Sequence, residues 1–285
     1  MILFVFEGKD DKTYFESIKR LFFPEKLDTF VCTYNSNIYS LYTKLMEHDA
    51  LNGAFEVDTV SVLKEILLEK GDETLKDIRE DEVSEIYLFF DYDFQEKART
   101  LEENNKRLSE MLKFFTDETA NGKLYINYPM VESLRYTKEL PDSDYWTYTV
   151  TRQQCQEVRF KRLVHEFSFY GGNLEYIILT IKPADDETKI QEKIDSTKTN
   201  WKHLVVMNVS KANYICNDKT EVPDESDSQQ AVFSNQLSKY VKTDECKVAI
   251  LNAFPIFLFD YFGRKVCRCY DIVDFFVTLH PQNGK

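Results

Sequence analysis

Two stretches decide the reading of this chain: ILFVFEGKDD, residues 2–11, and EIYLFFDYD, residues 85–93. Each is an unbroken apolar run that ends in carboxylates. Such a run lacks the polar alternation of a half-exposed strand and suits a parallel strand buried on both faces. After the first run, DKTYFESIKRLFF repeats Tyr14, Phe15, Ile18, Leu21 and Phe22 at helical spacing, with Asp10 or Asp11 placed to cap the first turn. Working outward, TFVCTY (29–34) reads as a strand and IYSLYTKLMEHD and VDTVSVLKEILLEK as helices, while the acidic stretch 72–85 reads as a solvated face or loop. A long polar helix is expected over 96–115, and Gly122 punctuates a strand running from Leu124 to about Met130. Residues 1–135 therefore predict an α/β unit, a mostly parallel four-stranded sheet flanked by helices.

Beyond Arg135 the strand-helix rhythm loosens into an α-rich C-terminal region, 136–285, expected to serve as a cap, a dimerisation surface or a partner-docking surface. Residues 136–144 read as a loop, and 152–169 and 189–209 as helices. The polar segment 217–230 reads as an exposed, mobile loop, and the apolar stretch 233–279 as helical. With 43% hydrophobic residues and only 8 Gly and 7 Pro, the composition excludes a disordered or low-complexity chain. The longest apolar run, 249–262, is broken by Asn252, Pro255 and Asp260 and is too short to span a bilayer. The first residues lack the basic start and cleavage site of a secretion signal, and six scattered cysteines read as reduced thiols, so a cytoplasmic protein is expected.

The carboxylates carry the chemistry. Glu7 directly follows the first apolar run and Asp91 and Asp93 end the later one, so parallel strands would bring all three to one edge, where open α/β sheets bind ligands. Alternation along a strand would point Asp91 and Asp93 to one side and Tyr92 to the other. Clustered carboxylates repel one another unless a cation intervenes, and oxygen ligands favour Mg²⁺ or Mn²⁺. Glu132, in YPMVES, and Asp11 are further candidate ligands. The glycine of EGKDD predicts a tight turn with positive φ that brings backbone amides toward a phosphate, with Lys9 to neutralise one of its oxygens.

An acid-glycine pair after the first strand (Glu7, Gly8, with Asp10 and Asp11 following) and the later Asp91-Tyr92-Asp93 resemble the TOPRIM domain of topoisomerases, bacterial primases, small maturation ribonucleases and OLD-type nucleases. With YPMVES and NAFPIFLFDYFG added, the chain looks like the TOPRIM effectors of bacterial anti-phage systems, the AbiL type and the nuclease partner of the PARIS ATPase. The resemblance implies a metal-dependent phosphoryl-transfer site, with Glu7 as general base or ligand and Asp91 and Asp93 as ligands. It further implies a toxic effector of abortive infection that cleaves DNA or tRNA, is controlled by a partner ATPase and forms a homodimer when active. No topoisomerase tyrosine or primase zinc motif accompanies it, and Phe94 stands where a small phosphate-contacting residue would be expected.

The net charge of −13 sits mostly at the front: residues 1–120 hold 15 Lys and Arg against 27 Asp and Glu. A nucleic acid partner therefore needs a local basic surface or a bound cation. Arg135, Arg159, Lys161 and Arg162 are the candidate backbone contacts, with Phe160 and Phe167 interleaved for stacking. An amphipathic helix with solvated charges is the alternative, as it is for Arg264, Lys265 and Arg268. Cys267 and Cys269 lack a second metal-spaced pair, and the four histidines form no zinc pattern. No P-loop, GxSxG or GxGxxG is present. Two other readings stay open: a non-catalytic binding protein on the same fold, and a metal-dependent phosphotransferase or phosphatase acting on small molecules.

Overall fold

In the computed structural model, which describes residues 1–48, 50–52 and 58–267, the two apolar runs lie side by side. They form β1 (Ile2–Phe6) and β3 (Glu85–Asp91), paired in parallel with Phe6 opposite Phe89. Helix α1 (Lys9–Phe22) carries the chain from β1 back to β2 (Thr29–Thr33), the parallel neighbour on the other side. Helices α2 (Ile38–Glu47) and α3 (Thr59–Glu69) then cross to β3, and α4 (Leu101–Phe114) crosses to β5 (Gly122–Asn127). A two-residue strand, β4 (Thr116–Asp117), pairs antiparallel to β5 and gives the sheet order β2-β1-β3-β5-β4. The four parallel strands are those legible in the sequence; β4 is too short to leave a pattern.

The direction of winding reverses between β1 and β3, so right-handed crossovers put α1 on one face of the sheet and α2 to α4 on the other. On the α1 face, Phe4 and Phe6 meet Phe15 of α1 at ring-centroid distances of 4.2 and 5.0 Å. Much of that face is covered by a helix from the far end of the chain, α9 (Ala253–Phe262). Its Phe254 stacks on Phe89 at 4.9 Å, and its Phe257 packs edge-on against Phe89, Tyr87 and Tyr125. Asp260 of α9 accepts the Tyr125 hydroxyl at 2.5 Å and pairs with Lys123 at 2.5 Å, fixing the helix to β5. Gly122 opens β5 at φ +111°, and a Cβ there would come within 2.8 Å of Leu88 Cδ1. Only glycine lets the strand approach β3 so closely.

The C-terminal region also contains β6 (Thr149–Thr151), α5 (Arg152–Glu157), α6 (Phe160–Phe167), α7 (Glu187–Asn217), α8 (Gln229–Gln236) and β7 (Lys247–Ala249). Strands β6 and β7 pair antiparallel, and Tyr128 and Leu251 exchange backbone hydrogen bonds, which ties this hairpin-like pair to the end of β5. The expected helix over 152–169 is broken at Val158–Arg159, whose extended backbone separates α5 from α6. The segment expected to be a mobile loop is anchored: Asp227 accepts from Asn217, Ser226 donates to Asp260 and Asp224 pairs with Arg264. The expected helix over 233–279 holds in part, as α8, a π-helical turn (Leu237–Val241) and α9, interrupted by β7. Its remainder, with Arg268 and Cys269, lies outside the described residues, as does His280. No helix among the described residues is long and apolar enough to cross a membrane.

Candidate functional site

Parallel strands deliver their C-terminal ends to one edge, and the crevice falls where the winding reverses, between β1 and β3. Glu7 leaves β1 at that point and Asp91 ends β3 beside it; the Asp91 N–H donates to Glu7 Oε2 at 3.0 Å. Asp11, one turn into α1, accepts the Gly8 N–H at 3.2 Å and so satisfies one of the free amides of the helix start. Asp10 pairs with Lys161 instead of a helix-start amide, so of the two capping candidates only Asp11 serves. Glu132 arrives on the 3₁₀ turn Val131–Arg135 that follows β5. Glu7, Gly8, Lys9, Asp10, Asp11, Asp91 and Glu132 line one cleft of about 370 Å³.

Two local expectations are corrected. Gly8 has φ −138°, ordinary extended backbone, so the turn into α1 needs no left-handed residue. Asp93 is not on the strand: β3 stops at Asp91 and Asp93 takes φ +52°, a conformation that aspartate tolerates better than most residues. Alternation therefore does not aim Asp93, and it does not line the cleft. Its charge is nonetheless felt by Glu7, and Gln95 donates to its Oδ1 at 3.1 Å. Tyr92 does turn away, buried and stacked on Phe94 at 5.4 Å.

Burial and crowding of like charge dominate the electrostatics. Burial, then the negative charge of Asp93, lifts the Glu7 carboxyl well above its usual range against the opposing Asp91 N–H. Burial, then Glu7, does the same to Asp91. Burial pushes Asp11 up to about 7 and, together with Glu96, pushes Asp93 up to about 6. Asp11 Oδ1 and Glu132 Oε2 are buried with no hydrogen-bond partner. Among the described residues no three His, Cys, Asp or Glu side chains already stand at liganding spacing. The donor set is all oxygen, crowded, under-neutralised and in part unsatisfied, the chemistry that a hard divalent cation takes.

The expected basic cluster is largely committed elsewhere. Lys161 pairs with Asp10 at 2.6 Å and Glu132 at 3.3 Å, which makes it a counter-charge to the acid cluster. Arg162 pairs with Glu166 at 2.7 Å, and exposed Arg159 precedes α6 without joining it. Phe160 and Phe167 are not a stacking surface: both pack on Tyr136, at 5.7 and 4.1 Å. Arg135 is buried and does not pair with Glu132. Lys9 is exposed at the cleft mouth.

Sequence reasoning passed over a chain of buried amides behind Asp91. Asn127, the last residue of β5, donates to Asp91 Oδ1 at 3.1 Å, while its own Oδ1 accepts from Asn252 Nδ2 at 2.9 Å and the Ala253 N–H at 3.0 Å. The Asn252 amide also reaches Val131 O and Ser133 Oγ, and its Oδ1 caps α9 through the Phe254 N–H. Asn208 of α7 accepts the Asn252 N–H at 2.8 Å. The available signals were an amide closing the otherwise apolar LYIN and an Asn immediately before AFPIFLF. Searched against protein-family models, curated proteins and solved structures, the chain matches none of them.

Proposed function

We propose that this chain is a divalent-metal-dependent nuclease on a TOPRIM-like fold that cleaves phosphodiester bonds in DNA or tRNA. The single observation that carries the reading is the convergence of Glu7, Asp11, Asp91 and Glu132 on one cleft at the β1–β3 crevice, with Asp93 close by. Clustered buried carboxylates are costly to stability, and a fold that retains them at its ligand-binding edge favours a cation-using site over caps.

Glu7, Asp11, Asp91 and Glu132 are the residues that would hold Mg²⁺ or Mn²⁺, with Asp93, outside the cleft lining, adding negative charge beside Glu7. Such an ion lowers the pKa of a bound water and neutralises phosphate charge. Glu7 has one oxygen engaged by the Asp91 N–H and the other available, and its raised affinity for protons suits it to take one from an attacking water. Asn127 fixes which oxygen of Asp91 faces the cleft, since Oδ1 is held by its amide. Lys9, at the mouth, offsets charge on the phosphate. The sequence resemblance to AbiL-type and PARIS-associated effectors supports a role as a toxic anti-phage effector in the cytoplasm, released by a partner ATPase and active as a homodimer.

The test is incubation of wild type, Glu7→Ala and Asp91→Asn with plasmid DNA and total tRNA, with and without Mg²⁺ or Mn²⁺. Metal-dependent cleavage by wild type, reduced at least a hundredfold in both variants, is the expected result. Metal should also raise the Tm of wild type by more than that of either variant. Equal Tm shifts would return the acids to a structural role, and turnover of small phosphate esters without cleavage of either polymer would favour a phosphatase.

A further inference from the structure

Beyond the acid cluster, the same neighbourhood holds donors that lack acceptors. Arg135 is only 7% exposed, its Nε is buried without a hydrogen-bond partner, and its guanidinium makes no ion pair among the described residues. The Tyr176 hydroxyl is likewise buried and unpartnered, and the hydroxyl of buried Tyr14 makes no hydrogen bond among the described residues. A buried guanidinium without a counter-charge is rare, because desolvating it is expensive unless an anion compensates. The nearby acid does not serve: Glu132 Oε1 faces Lys161 at 3.3 Å, and its buried Oε2 makes no hydrogen bond to Arg135.

The three groups sit on firmly held backbone. Arg135 closes the 3₁₀ turn after β5. Tyr14 stands one turn beyond Asp11 on α1. Tyr176 belongs to a segment pinned to α1 by Ser17, whose Oγ donates to Ile177 O at 3.0 Å and accepts the Leu179 N–H at 2.9 Å. Trp201 Nε1 also donates to Ile177 O, at 2.8 Å, and the Tyr176 ring stacks on Tyr170 at 3.9 Å. Tyr14 follows Asp11 by one turn on α1 and Arg135 closes the same 3₁₀ turn that carries Glu132, and Asp11 and Glu132 both line the acid cleft, so the group borders that cleft; both hydroxyls also feel the positive charge of Arg135.

We infer that Arg135, Tyr14 and Tyr176 form a buried pocket for one phosphoryl group of a nucleic acid chain, adjoining the cleft where the acids act. The inference rests on the nuclease reading for the identity of the chain that carries the phosphate. The guanidinium is donor-only and each phenol hydroxyl has an O–H to give, and a phosphate oxyanion, acceptor-only and negative, can accept from all three. Placed beside the acids, the pocket would hold a phosphate next to the one being cleaved and so fix the register of the strand.

The experiment titrates inorganic phosphate, and a trinucleotide with and without a 5′-phosphate, into the full-length protein in EDTA by calorimetry. Wild type, Arg135→Gln and the double variant Tyr14→Phe, Tyr176→Phe are compared, and the Mg²⁺-induced rise in Tm is measured on the same samples. Wild type should bind phosphate, the double variant at least tenfold more weakly and Arg135→Gln at least a hundredfold more weakly, while all three keep the Mg²⁺ shift. A trinucleotide preference for the 5′-phosphate would place a strand end in the pocket, and no preference would place an internal phosphodiester there; both support it. Wild type that ignores phosphate, or variants that bind it equally well, would overturn the pocket. Loss of the wild-type Mg²⁺ shift with phosphate binding intact would instead remove the metal-dependent nuclease reading and leave the pocket standing.

Discussion

Asp11 shows at a single residue what the cleft does to its carboxylates. One oxygen accepts the Gly8 N–H, the other has no partner, and burial lifts the group from its usual 3.8 to about 7. A folded-state value above the unfolded one means that the folded protein binds the proton more tightly. This contribution to stability is therefore full below the unfolded value and is lost as pH rises through about 7. In EDTA, the Tm of wild type should fall between about pH 4 and pH 7, and Asp11→Asn should flatten that slope, as followed by thermal melts across pH. Asp91→Asn should likewise raise the metal-free Tm, because it removes a buried charge repelled by Glu7; a lower Tm would mean that the carboxylates are not in conflict. The sequence made Glu7, Asp11, Asp91 and Glu132 legible because each follows or closely trails a strand end. It misplaced Asp93, which stays out of the cleft lining, since strand alternation says nothing of a residue that has already turned out of the sheet at φ +52°.

At the scale of elements, the turn after β5 and the start of α9 are joined by Asn252, whose amide serves Asn127, Val131 and Ser133 at once. Asn252→Ala leaves these buried groups unpaired and α9 uncapped, and should cost about 2–4 kcal/mol in urea unfolding. If the chain is the nuclease proposed above, metal-dependent cleavage should fall beyond what the lost stability explains, because Asn127 then orients Asp91 with the Ala253 N–H alone to hold its side-chain oxygen. Gly122→Ala, which drives a methyl against Leu88, should destabilise by about 1–3 kcal/mol in the same assay. Long periodic or uniformly apolar segments such as β1, β3, α1 and α7 are plain in the sequence because burial dictates their pattern. Strands β4, β6 and β7, two or three residues each, exist through tertiary pairing and leave no period to read.

For the whole molecule, the hydrophobic core runs without a break from the sheet into α9 and α7. Phe257, fully buried against Phe4, Tyr87, Phe89 and Tyr125, is the centre of that junction; Phe257→Ala should lose about 3–5 kcal/mol, read by chemical denaturation. The sequence offered a cap on the first unit as one reading of this region but not which strands it covers, because an apolar helix records that it is buried and not against what. One consequence concerns synthesis. The sheet waits for a helix whose first amide bonds to a strand residue 126 positions earlier, so a nascent chain still on the ribosome displays a bare aromatic face and a loosely held Asp91 until α9 emerges. Chains stalled at residue 245 should be cut throughout by a brief protease pulse, whereas chains stalled with α9 fully outside the exit tunnel should resist. Assembled in this order, the acid cleft would be complete only once α9 is in place behind it.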